Sequence, residues 1–498
     1  MKTKRSKPSP ADFPSFFPFP GSWFKGTGIA FATLLIIAIT ITADCEAKNK
    51  AGSFKVGVGV VDITPPVGYP QYSGISTGVK DPLHAKALVF KQGDNHGALL
   101  VCEIISVTRD LSLIVREQAS RKTGIPLQNI SISATHTHTG PRFSVQEYAD
   151  REAAGKLTQE DRESYVGQLV GKMIESIVIA NNRLQEAEIT GGVGYAPGIS
   201  FNRRYLMTDG RVRFNPGNLN PKNVRPVAPV DPDVHFALFK PLNNDSFNAS
   251  LTVFASHYAR GGTDFSADYA HYLQMNLNEI FGEQIVSIYG FGTGGDINTN
   301  NPDAPSIDAQ TRVERIGKVL AEAIKEALPS ARKSNPDFKV VSRTIHLPMQ
   351  DYTEAEYKWA LDKNAPPLYN ERSFLQTRRR MKILSLAELR EREAIPPSIS
   401  GDPYRLPVEI HVFRLDDQNA IVTTPGHNFV ELGLELKERS PFVNTMIIDL
   451  ANARVGYTFH SRVFGEGDYE AINSRLLPGA AEKMIDEAVQ ILNDLYPR

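Results

Sequence analysis

The chain has 498 residues, of which 41% are hydrophobic and 22% charged. This is the composition of an ordinary globular protein with a large core. A formal net charge of -1 gives no electrostatic reason to expect nucleic acid as a partner. Cys45 and Cys102 are the only cysteines, which excludes a disulfide framework as the source of stability.

The first 47 residues have the pattern of a signal peptide. Basic residues precede an uncharged apolar run, GIAFATLLIIAITITA, at positions 28–43. This run is shorter than the roughly 20 residues that a membrane span needs, and it suits the core of a signal peptide. We therefore expect cleavage after Ala47 and a secreted or periplasmic protein. An uncleaved leader that anchors the protein in the membrane is the alternative.

The region after the leader predicts strands that alternate with a helix. Alternating branched and small side chains predict strands, and apolar side chains at helical spacing before Gly124 predict one helix. The predicted strands cover 54–63, 83–90, 98–104 and 129–134, and the helix covers 107–122. Strand, helix and strand in succession form a βαβ unit, whose two strands run parallel.

The rest of the chain continues the mixed pattern of strands and helices. It predicts a surface helix pair (148–181), an irregular loop (215–232), helices (268–281, 313–328 and 484–495) and strands (188–192, 235–239, 251–256, 285–289, 408–414, 420–424 and 446–450). A charged stretch at 352–394 favours a solvated helical excursion, with a membrane-facing patch as the alternative. We expect an α/β fold of mixed sheets flanked by helices, in a single large domain over 54–498.

Side chains suited to chemistry follow several predicted strands. His136, His257, Asp296, His427 and Tyr457 each lie in a loop that contains Gly or Pro, directly after an apolar strand. Loops at the carboxyl ends of parallel strands converge. If these strands share one mostly parallel sheet, the imidazoles meet and form a metal site at the strand ends.

Six motifs, in chain order, carry a resemblance to a known family. They are DITPP (62–66), ISATHTHTGP (132–141), FASH (254–257), GGDIN (294–298), PGH (425–427), and GY (456–457) followed by YE (469–470). Together they resemble the neutral/alkaline (non-lysosomal) ceramidases. The likeness runs from about residue 54 to residue 496 and corresponds to the catalytic domain of that family.

The resemblance implies one Zn²⁺ ion held by two histidines, a glutamate and a tyrosine. Carried over to this sequence, those positions are His136, His257, His427 and Tyr457, so a histidine stands at the glutamate position. Three neutral imidazoles with an open position are a known catalytic zinc set. Glu431, one helical turn after His427, is the alternative ligand.

The resemblance also implies the substrate-facing residues. The serine nucleophile of the family corresponds to Asn298, whose amide cannot attack an acyl carbon. We therefore expect a metal-activated water to attack, with Asn298 orienting the substrate or stabilising the oxyanion. His138 corresponds to a contact with the substrate amide, and Asp296 lies in the nucleophile loop as a further catalytic residue. Arg203 and Tyr469 correspond to polar substrate contacts.

These inferences predict an exported, zinc-dependent hydrolase that cleaves an amide (N-acyl) bond of a small-molecule or lipid-like substrate. Two alternatives stay open: a metal hydrolase that acts on an ester or a sugar-linked amide, and a binding protein that holds metal without turnover. Asp268 matches an acidic position of the family, where we expect it to hydrogen-bond a histidine. Peripheral membrane contact and the oligomeric state stay open.

Overall fold

The computed structural model describes residues 52–497, so the predicted leader at 1–47 lies outside the described residues. The strands are, in chain order, β1 (Lys55–Asp62), β2 (Pro70–Gln71), β3 (Gly74–Ile75), β4 (Gly78–Val79), β5 (His84–Gln92), β6 (Asn95–Cys102), β7 (Ile130–Ala134), β8 (Gln185–Tyr195), β9 (Phe201–Asn202), β10 (Arg204–Met207), β11 (Val212–Phe214), β12 (Asn223–Pro226), β13 (Asp233–Pro241), β14 (Ala249–Phe254), β15 (Asp264–Phe265), β16 (Val286–Phe291), β17 (Ile297–Asn298), β18 (Arg332–Ser334), β19 (Lys339–Pro348), β20 (Arg405–Arg414), β21 (Asn419–Thr423), β22 (His427–Asn428), β23 (Asn444–Ile448) and β24 (Tyr457–Thr458).

Helices cover the sheets. They are α1 (Arg109–Thr123), α2 (Gln146–Ala153), α3 (Gln159–Glu163), α4 (Tyr165–Asn182), α5 (Tyr269–Phe281), α6 (Ala309–Ala327), α7 (Glu354–Leu361), α8 (Ser373–Arg392), α9 (Val430–Arg439), α10 (Val463–Glu466), α11 (Asp468–Asn473) and α12 (Ala480–Leu495). Among these described helices, none is both long and apolar enough to cross a membrane.

Two sheets form the body of the fold. The larger has the strand order β16-β14-β13-β8-β1-β5-β6-β7, with β18 added at β8, and the smaller has the order β19-β20-β21-β23. The predicted fold class of mixed sheets flanked by helices is confirmed. The assumption of one mostly parallel sheet is wrong, because parallel pairing in these two sheets is confined to β6/β7, β14/β16 and β21/β23. Short turns such as Gly93–Asp94 connect neighbouring strands in antiparallel fashion.

The predicted βαβ unit is confirmed as β6–α1–β7. Strands β6 and β7 pair in parallel, and every residue of β7 is buried. The hydroxyl of Thr108 accepts a hydrogen bond from the Leu111 amide at the start of α1, and Gly124 ends the helix with a φ of 73°. This rigid unit delivers the chain to the loop that begins at Thr135.

The prediction of a surface helix pair at 148–181 is wrong for its second half. Helix α4 buries one face against β1, where the backbone approaches very closely. A Cβ atom at Gly57 or Gly59 would collide with the carbonyl oxygens of Ala180 and Ser176, respectively. Glycines in β1 therefore let this helix pack directly on the strand.

The charged excursion is helical, as predicted, and much of its basic charge is used internally. Arg379 forms an ion pair with Glu371, with 2.9 Å between Nε and Oε1. Arg380 donates to backbone carbonyls, and its guanidinium lies 4.0 Å from the ring centroid of Trp359. Arg380 thus joins α8 to α7, and Arg379 joins α8 to the loop between the two helices.

Candidate metal centre

Three buried histidines from distant parts of the chain lie together. His136 follows β7, His257 follows β14, and His427 begins β22. One nitrogen from each ring can be chosen so that all three atoms lie within 4.8 Å of one another. The ring centroids of His136 and His427 are 4.2 Å apart, and those of His136 and His257 are 4.9 Å apart. The structure thus brings together the three histidines that the sequence marks as metal ligands.

The loops meet because hydrogen bonds join the ends of strands from different sheets. The Ser133 hydroxyl in β7 donates to the Asp449 carbonyl after β23 (2.6 Å), and the Asp449 amide donates to the Phe291 carbonyl at the end of β16 (2.8 Å). The amide of Ile132 donates to the Asn452 side-chain oxygen (2.9 Å). These bonds make a common edge from three parallel strand pairs.

Backbone carbonyls set the tautomers of two of the rings. Nδ1 of His136 lies 2.7 Å from the Ile105 carbonyl, and Nδ1 of His257 lies 2.7 Å from the Gly294 carbonyl. A carbonyl oxygen only accepts, so both Nδ1 atoms carry hydrogen and both Nε2 atoms keep a free lone pair. In His427, Nδ1 is buried and has no hydrogen-bond partner among the described residues. This all-nitrogen donor set fits zinc or a similar transition metal.

The first of these histidines is held in an uncommon backbone conformation. His136 has a φ of 65°, in the left-handed region that side chains other than glycine rarely adopt. Such conformations cost on the order of 1–3 kcal/mol and persist where the surroundings fix them. Here the surroundings include the bond from the His136 amide to the Ile104 carbonyl, which is 3.1 Å long. The strain is stored at the position that needs a defined ring direction.

The three imidazoles are neutral at physiological pH. Burial lowers the pKa of His136 to about 3 and holds the pKa values of His257 and His427 well below the ordinary value. Neighbouring positive charge from Arg203 lowers them further. Neutral imidazole is the form that binds a metal ion, so the cluster does not have to release protons first.

A fourth histidine adjoins the cluster. Nε2 of His138 lies 3.0 Å from Nε2 of His136, and because the latter is unprotonated, His138 is the donor. The His138 ring stacks on Tyr258 with 3.6 Å between centroids and lies 4.7 Å from Tyr72. One lone pair cannot accept a hydrogen bond and bind a cation at once. A metal ion held by His136 Nε2 would therefore displace the His138 N–H, which would then be available to a substrate.

Tyr457 lies beside the cluster, with its hydroxyl held by an arginine. Parallel pairing of β22 with β24 places Tyr457 opposite His427, with 5.0 Å between the ring centroids. Nη2 of Arg203 donates to the Tyr457 hydroxyl (3.1 Å), and Nε of Arg203 donates to buried Glu470 (2.8 Å). Arg203, predicted as a substrate contact, thus directs two of its three nitrogens to the protein.

Tyr469, the other predicted substrate contact, belongs to an aromatic wall. Its ring stacks on Phe214 (4.4 Å) and Phe374 (5.7 Å) and meets Tyr457 edge-on (5.7 Å). The guanidinium of Arg378 lies 5.6 Å from the Tyr469 ring centroid. The excursion at 352–394 therefore contributes Phe374 and Arg378 to the surroundings of the site.

Asp296 has both carboxylate oxygens engaged by the protein. One accepts a hydrogen bond from the Asn202 side chain (2.7 Å), and the other accepts from the Val430 amide at the start of α9 (2.9 Å). Burial raises the pKa of Asp296 to about 6. The structure thus places this residue as the link between the loop after β16, strand β9 and helix α9.

Asn298 lines a cavity next to the histidines. We call it the Asn298 cavity; it has a volume of about 310 Å³ and is lined by Asn215, Pro216, Gly217, Tyr258, Ala259, Asn298, Asn300, Pro302, Ser306 and Arg312. The Asn298 side chain donates to the Asn215 side-chain oxygen (3.2 Å) and accepts from the Thr299 amide (2.9 Å). Tyr258 connects the cavity to the cluster, because its ring covers His138.

The sequence profile of the neutral/alkaline non-lysosomal ceramidase N-terminal family matches residues 54–257. The resemblance to the neutral ceramidases is confirmed. A neutral ceramidase from Pseudomonas aeruginosa has a similar structure, with a TM-score of 0.63 and 16% identity over 90% of this chain and 75% of that one. The structure of a ceramidase complexed with C2 is also similar, with a TM-score of 0.63 and 17% identity over 90% of this chain and 76% of that one. No curated protein sequence matches the chain.

The profile match over 54–257 and the overall fold are thus both similar to those of neutral ceramidases. The profile match contains His136, His138, Arg203 and His257, and it ends before the remaining site residues. At such low identities the structural likeness shows the fold alone. Asn298, which the resemblance predicts to stand at the nucleophile position, therefore has to be understood from its own surroundings.

Two acidic side chains, Glu431 and Asp268, have partners other than those that the sequence predicts. Glu431 forms an ion pair with Arg462 and is not part of the histidine group. The expected bond from Asp268 to a histidine is wrong: its carboxylate accepts from the amides of Ala259 (3.1 Å) and Arg260 (2.7 Å). Asp268 caps the loop after His257, because backbone amides are the donors within its reach. Burial raises its pKa to about 6.

Sequence reasoning missed several residues at this site. Tyr258 directly follows His257, and this position next to a candidate ligand could have identified it as a site residue. Glu470 belongs to the YE pair at 469–470, but the sequence assigned it no role. Arg312 lies on an amphipathic helix, and nothing in the local sequence distinguishes it from a solvated arginine.

Proposed function

We propose that the chain is a zinc-dependent hydrolase of the neutral ceramidase type that cleaves an amide (N-acyl) bond. The observation that carries the proposal is the meeting of His136, His257 and His427, whose nitrogens lie within 4.8 Å of one another. The similar ceramidase structures, one of them in a complex with C2, support an acyl amide as the substrate. An exported location and a leader at 1–47 are part of the proposal and rest on the sequence.

Six residues of the site have a direct role in this scheme. His136, His257 and His427 would hold the ion, with Tyr457 beside them as the further candidate ligand. When bound, zinc supplies Lewis-acid activation of water and of the scissile carbonyl. The N–H of His138 is placed to hydrogen-bond the substrate amide. The amide group of Asn298 supplies a donor at the edge of the cavity, where it can orient the substrate or stabilise the developing oxyanion.

Metal analysis combined with a substrate panel tests the proposal. We expect about one zinc ion per chain, loss of N-acyl hydrolysis on chelation, and recovery with zinc but not with magnesium, because nitrogen ligands disfavour hard cations. The panel includes a fluorescent ceramide, shorter acyl amides and matched esters. Activity that persists after complete removal of metal refutes the scheme. Bound zinc with no hydrolysis of any amide or ester favours a binding protein instead.

Replacing Asn298 by alanine is expected to lower turnover by about 10²-fold, the usual effect of losing one oxyanion donor. The bound zinc should be unchanged, because Asn298 contacts Asn215 and Thr299 and none of the histidines. Steady-state kinetics with metal analysis of the same samples measures both. Asn244→Ala, in an exposed turn, is the matched control. Full turnover in Asn298→Ala contradicts the assigned role.

A further inference from the structure

The Asn298 cavity has a composition that does not suit a hydrocarbon chain. Its lining consists of asparagines, a serine, a tyrosine, one arginine and small or cyclic residues. Neither a branched aliphatic side chain nor a carboxylate is among them. A pocket for an alkyl chain is normally lined by hydrophobic side chains. This cavity instead offers hydrogen-bond donors and one positive charge.

Arg312 is the charged residue of the cavity, and its charge is uncompensated. Its Nη2 donates to the Ile307 carbonyl at 2.7 Å. Its Nε is buried without a hydrogen-bond partner, and within residues 52–497 no carboxylate forms an ion pair with it. A guanidinium whose Nε–H has no acceptor keeps a donor that the oxygen of an anionic ligand can accept from.

The wall around Arg312 is fixed by amide side chains. Asn300 donates to the Asn218 side-chain oxygen (2.6 Å), and Asn218 donates to the Ala304 carbonyl (2.8 Å). The Ser306 hydroxyl donates to the Asn300 side-chain oxygen (3.3 Å). This network fixes the side chains of Asn300 and Ser306 in the cavity wall, as expected of a pre-organised binding site.

The cavity adjoins the histidine cluster, with one aromatic ring between them. Tyr258 lines the cavity and stacks on His138, which in turn bonds to His136. A substrate with its acyl bond at the histidines would therefore extend its polar half past Tyr258 and Asn298 toward Arg312.

We propose that the Asn298 cavity binds an oxyanion on the polar half of the substrate, and that Arg312 is the specificity-determining residue that recognises it. The inference rests on the proposed hydrolase function and deepens it: the substrates are anionic acyl amides, and neutral lipids are poor ones. Carboxylate, sulfonate and phosphate share the required chemistry, because each offers oxygens to a guanidinium.

Four amides with the same dodecanoyl chain test the proposal on the zinc-loaded full-length chain. The amines are glycine, taurine, phosphoethanolamine and, as the neutral reference, ethanolamine. At least one anionic amide should exceed the ethanolamine amide in kcat/KM by about tenfold or more, the usual scale for a charge-assisted contact. The preferred member identifies the oxyanion.

Arg312→Gln should lower kcat/KM for the preferred anionic amide by about tenfold more than for the ethanolamine amide, and circular dichroism of the variant reports its folding. Arg312→Lys should keep part of the preference. Arg315→Gln is the matched control, because Arg315 lies in the same helix, is exposed and contacts the Gly198 carbonyl (3.3 Å). A wild-type preference for the neutral amide, or an equal loss on all four substrates in Arg312→Gln, overturns the inference.

Failure of the proposed function gives a different result. If the zinc-loaded protein hydrolyses neither these four amides nor any substrate of the panel described above, the hydrolase proposal fails. Thermal stabilisation by acetate, sulfate or inorganic phosphate then tests the oxyanion site by itself. Stabilisation that is lost in Arg312→Gln and kept in Arg315→Gln supports the oxyanion site. Equal stabilisation of all three proteins overturns it.

Discussion

Replacing His257 by alanine is expected to remove both bound zinc and hydrolysis. The ring is one of three nitrogen donors, and its Nδ1–H bond to the Gly294 carbonyl fixes its direction. Loss of a partner that only orients a ligand typically costs 10–100-fold in metal affinity or activity. Loss of the ligand itself should cost more, so we expect at least about 10³-fold in kcat/KM. Metal analysis and kinetics of the purified variant check both effects.

The control for this prediction is a histidine outside the cluster. His346 is exposed in β19, so His346→Ala should keep full metal content and activity. Circular dichroism of His257→Ala separates loss of the ligand from loss of the fold. A folded His257→Ala protein with unchanged zinc content would show that the cluster is not the metal site.

The elements that the sequence predicted are those with a strong local pattern. Strand β7 alternates branched and small residues, and α1 has a capping threonine and a terminal glycine. Strand β19 was missed because its pattern is masked by polar residues such as Arg343 and His346, which lie on partly exposed positions. Pairing with β20 along its whole length, a contact distant in sequence, decides its conformation.

The candidate site was predictable in its parts and not in its assembly. His136, His257 and His427 were identifiable because each follows an apolar strand. Their meeting depends on hydrogen bonds between separate sheets, such as Ser133 to Asp449, which no local pattern encodes. The same limit applies to Arg312, which is singled out because its Nε has no hydrogen-bond partner among the described residues. Buried, unpartnered charge is a property of the folded chain alone.

The Glu470→Gln variant is expected to lose about 3–5 kcal/mol of stability, the usual cost of removing one partner of a buried ion pair. Glu470 is fully buried between two arginines. Its Oε1 accepts from Nε of Arg203 (2.8 Å), and its Oε2 lies 3.4 Å from Nε of Arg204. Arg204 keeps Glu466 as a partner at 2.7 Å, so Arg203 bears most of the loss. Urea denaturation at neutral pH measures the change in unfolding free energy.

A double variant shows whether the cost comes from uncompensated charge. If it does, Arg203→Met combined with Glu470→Gln should be destabilised by less than the sum of the two single changes, because both charges are then absent. Glu487→Gln, which removes a more exposed partner of Arg343, should change stability by less than about 1 kcal/mol.

Arg203 also holds the Tyr457 hydroxyl, so Glu470→Gln should weaken metal binding as well. If the stability losses of the two single variants add up in the double variant and metal affinity is unchanged, Glu470 contributes to the core and not to the metal site.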